Sequence, residues 1–536
     1  MVSKKQKELL DLTVYQIYPR SFYDASGDGV GDLQGIVEKT PHIFALGVNA
    51  VWICPCYPSP NADNGYDVSD YKDINPIFGN MSDWELLKDT LHKNGVKMIM
   101  DFVANHTSDE HFFFQQAQLS RDNPYRHYYI WTKKPNGWKS VFGGKAWTYS
   151  PATKEYFLHS FDKKQPDLNW ENREVRKYMQ SVVDFWVDKG VDGFRCDVLD
   201  FIAKDFAENK MFGGKHLQKY IQELFGRKNT RSLFTVGECQ ANQENICDIC
   251  GATNGKLSTV FQFDHMRIRG NDKFRPKPFS FEKLKQSLIR WQEFAQDKDI
   301  ILALFTDNHD YPYFISRYGN DGNLRYFCAT AYAAMVFLLR GIPFVYQGQE
   351  YGNINPNYAS VDDFDDVETK NRYQQLLKSA DKERAIREIN VGSRDNSRRP
   401  FAWNGDTRTN HGFSTATPWL TVHSQATEIN LAKDKQSSQS VFAFFQRLLQ
   451  LRKEYACLRY GTFRNLTTNK NAFVYERVYG KHKAVIVCNY ENAQTVRLPS
   501  ELGEKKFALT LTNYKERETQ PLSPYFRPFE TAVFIR

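Results

Sequence analysis

Residues 191–198 read VDGFRCDV, a short and largely apolar run with Gly193 near its start and Arg195 and Asp197 near its end. A strand buried on both faces reads as a continuous apolar run, and polar residues gathered at its carboxyl end are carried to one rim of the sheet. Seven other runs share this character: TVYQIYP, NAVWICP, VKMIMDFV, LFTVGE, TVFQFD, ILALFTD and IPFVYQG. Stretches of helical period, such as DWELLKDTLHKNG and REVRKYMQSVVDFWVDKG, separate them. Eight β-runs alternating with helices predict an α/β fold, a parallel (β/α)8 (TIM) barrel over residues 1–104 and 169–455. Residues 105–168, after strand three, are too long for a βα loop and predict an inserted subdomain. From residue 456 to 536 the pattern changes to short alternating runs, AFVYERV, KAVIVCNY, FALTLTNY and TAVFIR. They predict a carboxy-terminal antiparallel β-sandwich.

The bulk composition narrows the function classes. The chain has 536 residues, 41% apolar and 25% charged, which is ordinary for a soluble globular protein. Its net charge of +8 comes from Lys and Arg dispersed among nearly as many acids, with no basic helix, so no nucleic-acid partner is expected. The opening MVSKKQKELLDL has no apolar segment after its lysines and predicts no signal peptide. The longest apolar run, Ala329 to Tyr346, is broken by Arg340, Gly341 and Pro343, so a buried helix followed by a strand is expected rather than a membrane span. These features predict a cytoplasmic monomer without a membrane partner. Nine cysteines fit reduced thiols, and the Cys247–Cys250 pair has no second pair at zinc spacing. Aromatic residues make up 15% of the chain and crowd between Tyr125 and Trp170, which suits a ligand with apolar faces and polar edges, such as a sugar.

A barrel of this type works at the carboxyl ends of its strands. Strand three ends in Asp101, Asn105 and His106, strand four in Arg195 and Asp197, strand five in Glu238, and strand seven in His309 and Asp310. Converging carboxylates suit a metal centre or glycosidic-bond cleavage; a catalytic metal would want more histidines or a motif such as HExxH, and neither is present. Glycoside hydrolysis needs one ionised and one protonated carboxyl. Arg195, two residues before Asp197, is expected to hold Asp197 ionised, whereas Glu238 follows the apolar LFTVG and is expected to keep its proton.

The sequence resembles the α-amylase superfamily (glycoside hydrolase family 13), in its oligo-1,6-glucosidase and dextran glucosidase branch. The resemblance runs through QIYPRSF, NGYDVSDY, DFVANHTS, QPDLNW, GFRCDV, TVGE, NHD, DDFDDVETKNRY and SRDNSRRPFAW, in the family's order over nearly the whole chain. It implies Asp197 as nucleophile, Glu238 as acid/base and Asp310 as transition-state stabiliser. It also implies that Asp63, Tyr66, His106, Arg195, His309 and Arg398 grip the non-reducing glucose of a small oligosaccharide. Asp63 and Arg398 are expected to close the pocket's far end, giving a retaining, exo-acting enzyme with no organic cofactor. Val198, after the nucleophile, goes with α-1,6 specificity in this branch. Trehalose-6-phosphate hydrolases, α-1,4-glucosidases and sucrose-active transglucosylases share the same acids and remain alternatives. The heavy subunits of amino-acid transporters share the fold but carry an anchor and have commonly lost the acids. Departures cluster on the acceptor side: YPYF follows Asp310, Cys239 and Gln240 follow Glu238, and the subdomain looks shortened around TKKPNGWKSVFGGKAW.

The stretch DASGDGVGD, residues 24–32, opens like a calcium-binding EF-hand loop, but Gly35 at the twelfth position excludes a true EF-hand. By resemblance it matches a first-loop calcium site. The implied ligands are Asp24, Ser26, Asp28, the Val30 carbonyl and Asp32, with magnesium as the alternative ion and a structural role.

Overall fold

The computed structural model describes residues 2–251, 257–503 and 507–536. Eight parallel strands form the central sheet, at Val14–Ile17, Ala50–Ile53, Lys97–Val103, Gly193–Asp197, Phe234–Glu238, Thr259–Phe261, Ala303–Leu304 and Ile342–Tyr346. Each lies within one of the eight runs read from the sequence. Strand one pairs with both strand two and strand eight, so the sheet curls into a nearly closed barrel. Strands six and seven face each other across the remaining seam, where the Thr259 hydroxyl donates to the Ile301 carbonyl at 2.7 Å. Strand seven keeps only two residues of ladder.

The amphipathic stretches form the outer helices. Met81–Lys93 starts from an Asn80 cap and buries Trp84, Leu87 and Leu91 on one face. Arg173–Asp188 starts from Asn172 and buries Val175, Met179, Val182, Val183 and Trp186. The long apolar run resolves into the helix Arg325–Phe337 and strand eight. Among the described residues no helix is long and apolar enough to cross a membrane. All nine cysteines are free thiols.

Between strands three and four lie the helix Phe112–Ala117 and a three-stranded antiparallel sheet, Trp131–Thr132, Trp147–Ser150 and Glu155–Leu158. Lys204 fastens this subdomain to the barrel, its ammonium meeting Asp167 Oδ2 at 2.9 Å and Asn105 Oδ1 at 2.7 Å. After the barrel, a five-stranded antiparallel sheet includes an edge strand, Thr462–Asn465, that lacks the alternation needed to be read from the sequence.

The loop at residues 24–32 is held by its own hydrogen bonds. Asp24 accepts the backbone N–H groups of Gly27 and Gly29 and the Ser414 hydroxyl. Asp32 accepts from Ala25, Ser26 and Gly35, the last of these capping the helix Leu33–Leu46. Gly29, at φ +96°, lets the loop press on Thr417, whose carbonyl a Cβ would meet at 2.1 Å. Among the described residues no three carboxylates, imidazoles or thiols converge as a metal shell. In the loop where calcium is expected at Asp24, Ser26, Asp28, Val30 and Asp32, backbone N–H and hydroxyl donors bond the two buried carboxylates.

Candidate active site

The register of the barrel places the charged strand ends. Strands three and four pair with Asp101 opposite Arg195 and Val103 opposite Asp197. With a side-chain period of two, Asp101, Arg195 and Asp197 share the inner face. Cys196 pairs with Gly237, which sets Glu238 one step further along strand five. Arg195 Nη1 lies 2.9 Å from Asp101 and 2.7 Å from Asp197, while Nη2 donates to Glu238. One guanidinium thus serves three carboxylates, with the Trp52 ring 5.1 Å from its Cζ.

Burial pushes Asp197 up to about 7, against the pull of the Arg195 guanidinium that it shares with Asp101 and Glu238. Burial pushes Glu238 further, to about 8, again against Arg195 and with Asp197 and Asp310 adding to the rise. Asp310 moves the other way: against the burial penalty, the cations of Arg398 and Arg394 hold it below the ordinary carboxylate range.

His309 is set by a chain of hydrogen bonds. The Gln16 amide nitrogen meets Nδ1 at 2.8 Å, so the ring proton sits on Nε2, which faces the Tyr66 hydroxyl at 2.7 Å. Tyr66 in turn donates to Asp101 at 3.0 Å and stacks on the His309 ring at 5.2 Å. Burial holds His309 well below the usual histidine range, so it stays neutral. His106 meets the Tyr66 carbonyl at 3.1 Å through Nε2.

A cavity of about 380 Å³ opens over these groups and is lined by Asp63, Tyr66, His106, Asp197, Glu238, His309 and Asp310. Arg195 lies just beneath the lining. Val198, also on the wall, holds a left-handed backbone at φ +33°, a strained conformation for a β-branched residue immediately after Asp197.

Residues 16–461 match the family described as alpha amylase, catalytic domain. The chain belongs to the α-amylase family. The oligo-1,6-glucosidase of Parageobacillus thermoglucosidasius is 39% identical over 98% of each chain. The glucan 1,6-alpha-glucosidase of Streptococcus pneumoniae serotype 4 is 40% identical, covering 96% of this chain and 97% of its own. Among solved structures, the trehalose-6-phosphate hydrolase of Bacillus licheniformis superposes with a TM-score of 0.91 at 34% identity over 99% of each chain. The protein is a glycoside hydrolase of the α-amylase family.

Within this α-amylase-family site, the cation that meets Asp63 is a residue that the sequence reading missed. Arg394, not Arg398, pairs with Asp63, at 2.7 Å, and the same nitrogen meets Asp366 at 2.7 Å. Arg398 is fully buried one helical turn further on, donating to the His309 carbonyl at 2.8 Å and to Asp310 at 3.1 Å. It braces the stabilising carboxylate from behind and does not line the cavity. The signal lay in the same motif, SRDNSRRP, whose three arginines composition cannot tell apart. On the acceptor side Lys273 lines the cavity, but its ammonium is taken by Glu368 at 2.6 Å.

Proposed function

We propose that the chain is a retaining, exo-acting α-glucosidase that releases glucose from the non-reducing end of short α-1,6-linked glucosides. The observation that supports the exo reading is the Asp63–Arg394–Asp366 cluster, whose Asp63 and Arg394 stand on the cavity wall. The α-1,6 linkage draws support from the two 1,6-acting relatives and from apolar Val198 on the acceptor wall.

The chemistry follows from the proton affinities. Ionised Asp197 attacks the anomeric carbon while Glu238 gives its proton to the departing glycosidic oxygen, leaving a glucosyl ester on Asp197. Glu238, now a carboxylate, takes a proton from water, whose oxygen attacks the same carbon and expels Asp197. Two inversions return the original anomeric configuration. Asp310, held ionised by Arg394 and Arg398, grips sugar hydroxyls as charge develops on the ring.

One observation favours a second reading, hydrolysis of trehalose 6-phosphate: among the described residues Arg267 lines the acceptor side with no carboxylate in salt-bridge reach. Side-by-side rates on isomaltose, panose, maltose, sucrose and trehalose 6-phosphate separate the two. Isomaltose and panose are expected to lead, and activity confined to the phosphorylated sugar sinks the first reading. Arg394→Ala should lower kcat/KM on isomaltose by roughly one to two orders of magnitude, the size of a lost charge-assisted bond; an unchanged value means Arg394 does not close the sugar site.

Calcium at the first loop is a separate proposal, supported by the spacing of its oxygens; Asp24 and Asp32 would have to share with the ion the lone pairs that N–H groups now use. Thermal melts in EDTA and in calcium test it. A rise of a few degrees with calcium, with activity at 25 °C unaltered, is the expected result, and superimposable melts remove the ion from the account.

A further inference from the structure

A general acid must reach the glycosidic oxygen, the atom that joins the two sugars, so the cavity wall that continues past Glu238 borders the leaving sugar. Gln240 lies two residues past Glu238, on the segment that leaves strand five, and lines the cavity. Its backbone N–H donates to the buried Asp200 carboxylate at 2.7 Å, which fixes that segment. Arg267 ends the 3-10 turn Asp264–Arg267 that follows strand six. Buried His265 anchors the turn: its Nδ1 meets the Gln262 amide nitrogen at 2.9 Å, so its Nε2 carries the proton and donates to the Phe305 carbonyl at 2.7 Å.

The two side chains meet on the cavity wall, where Arg267 Nη1 donates to Gln240 Oε1 at 2.9 Å. An arginine only donates, so the amide turns its oxygen to the guanidinium and keeps its NH2 group for another acceptor. Among the described residues that NH2 group has no partner, and no carboxylate lies within salt-bridge reach of Arg267. The Phe263 ring lies 5.4 Å from the Arg267 Cζ, and the Tyr311 ring is centred 6.1 Å from the Phe263 ring; both line the same cavity. A pyranose offers an apolar face to such rings and a rim of hydroxyl oxygens to such donors.

Charge decides what the donors take. Six carboxylates line the cavity against three cations, two of which, Lys273 and Arg394, are paired with Glu368 and Asp63. A dianionic phosphate gains one guanidinium here and meets the surplus of acids, whereas neutral hydroxyls accept from the same N–H groups without that repulsion. We propose that Gln240 and Arg267 are specificity-determining residues that hold the hydroxyls of the leaving sugar, and so favour glucosides whose leaving group is itself a sugar. This rests on the α-glucosidase reading above, with Glu238 as its general acid. Gln240 is one of the departures that follow Glu238, and Arg267 lies outside the stretches that carry the family resemblance.

The test compares kcat/KM on isomaltose, p-nitrophenyl α-glucoside and trehalose 6-phosphate for the parent and for Arg267→Ala. The nitrophenyl ring carries no hydroxyls, so its release reads the chemistry without the proposed bonds. The value on isomaltose is expected to fall about tenfold or more, and that on the aryl glucoside by less than about threefold. Equal losses on both, or no loss on either, overturn the proposal. So does a loss confined to trehalose 6-phosphate, which assigns the guanidinium to phosphate. Should Arg267→Ala fail to fold, Gln240→Leu, which removes the amide, is read on the same three substrates with the same outcomes. A parent inactive on isomaltose removes the α-1,6 reading itself, whereas an active parent with equal losses in the variant removes only the role of Gln240 and Arg267.

Discussion

Asp197→Ala is expected to lower kcat for glucoside hydrolysis by at least about four orders of magnitude, leaving substrate binding largely intact. The side chain is the carboxylate on the cavity wall that belongs to strand four and sits 2.7 Å from Arg195, with the acid of strand five across the same guanidinium. Without it no glucosyl ester forms, and water has no positioned base on that face of the ring. Truncation leaves a small polar hole, and added azide should fill it and attack the anomeric carbon directly. The product expected is the glucosyl azide of inverted configuration, identified by nuclear magnetic resonance. Hydrolysis within a hundredfold of the parent, or an azide product of retained configuration, would place the nucleophile elsewhere.

Arg195→Ala should damage the fold as well as the chemistry. Arg195 is the cation that Asp101, Asp197 and Glu238 share, and all three are pushed up by burial. Removing one partner of a buried ion pair costs about 3–5 kcal/mol, because the remaining charge is left uncompensated. Here the sign of the pH dependence can be stated. Acids whose folded affinity for protons lies above the unfolded one weaken the fold as pH rises from the ordinary carboxylate range toward 7 and 8. Loss of the guanidinium deepens that effect, so urea midpoints of variant and parent should diverge more at pH 8 than at pH 5.5. Equal gaps at the two pH values would mean that Arg195 contributes packing rather than charge.

Most of the barrel was legible because its strands are buried on both faces, which leaves continuous apolar runs with polar residues only at the rim. Asp197, Glu238 and Asp310 were legible for the same reason, as acids interrupting such runs. What the sequence could not resolve were choices between equivalent neighbours. Arg394 and Arg398 stand one helical turn apart, and only the depth of the turn below the cavity decides that the first meets Asp63 while the second lies under Asp310. Adjacency in sequence shows the cation beside Asp197 but not the two further acids that share it. The edge strand Thr462–Asn465 and the two-residue seventh strand are held by their partners rather than by their own pattern.

Under the proposed exo action, the ion cluster beside Asp63 is a wall, and the sugar site has one door. The leaving sugar departs first and the glucose bound deepest departs last, so no chain can be threaded through or cut twice without letting go. During the life of the glucosyl ester the vacated mouth admits whatever is most abundant there. In dilute solution that would be water, but in a thick syrup it would be another sugar's hydroxyl, and a pocket that trims chains would then lengthen them.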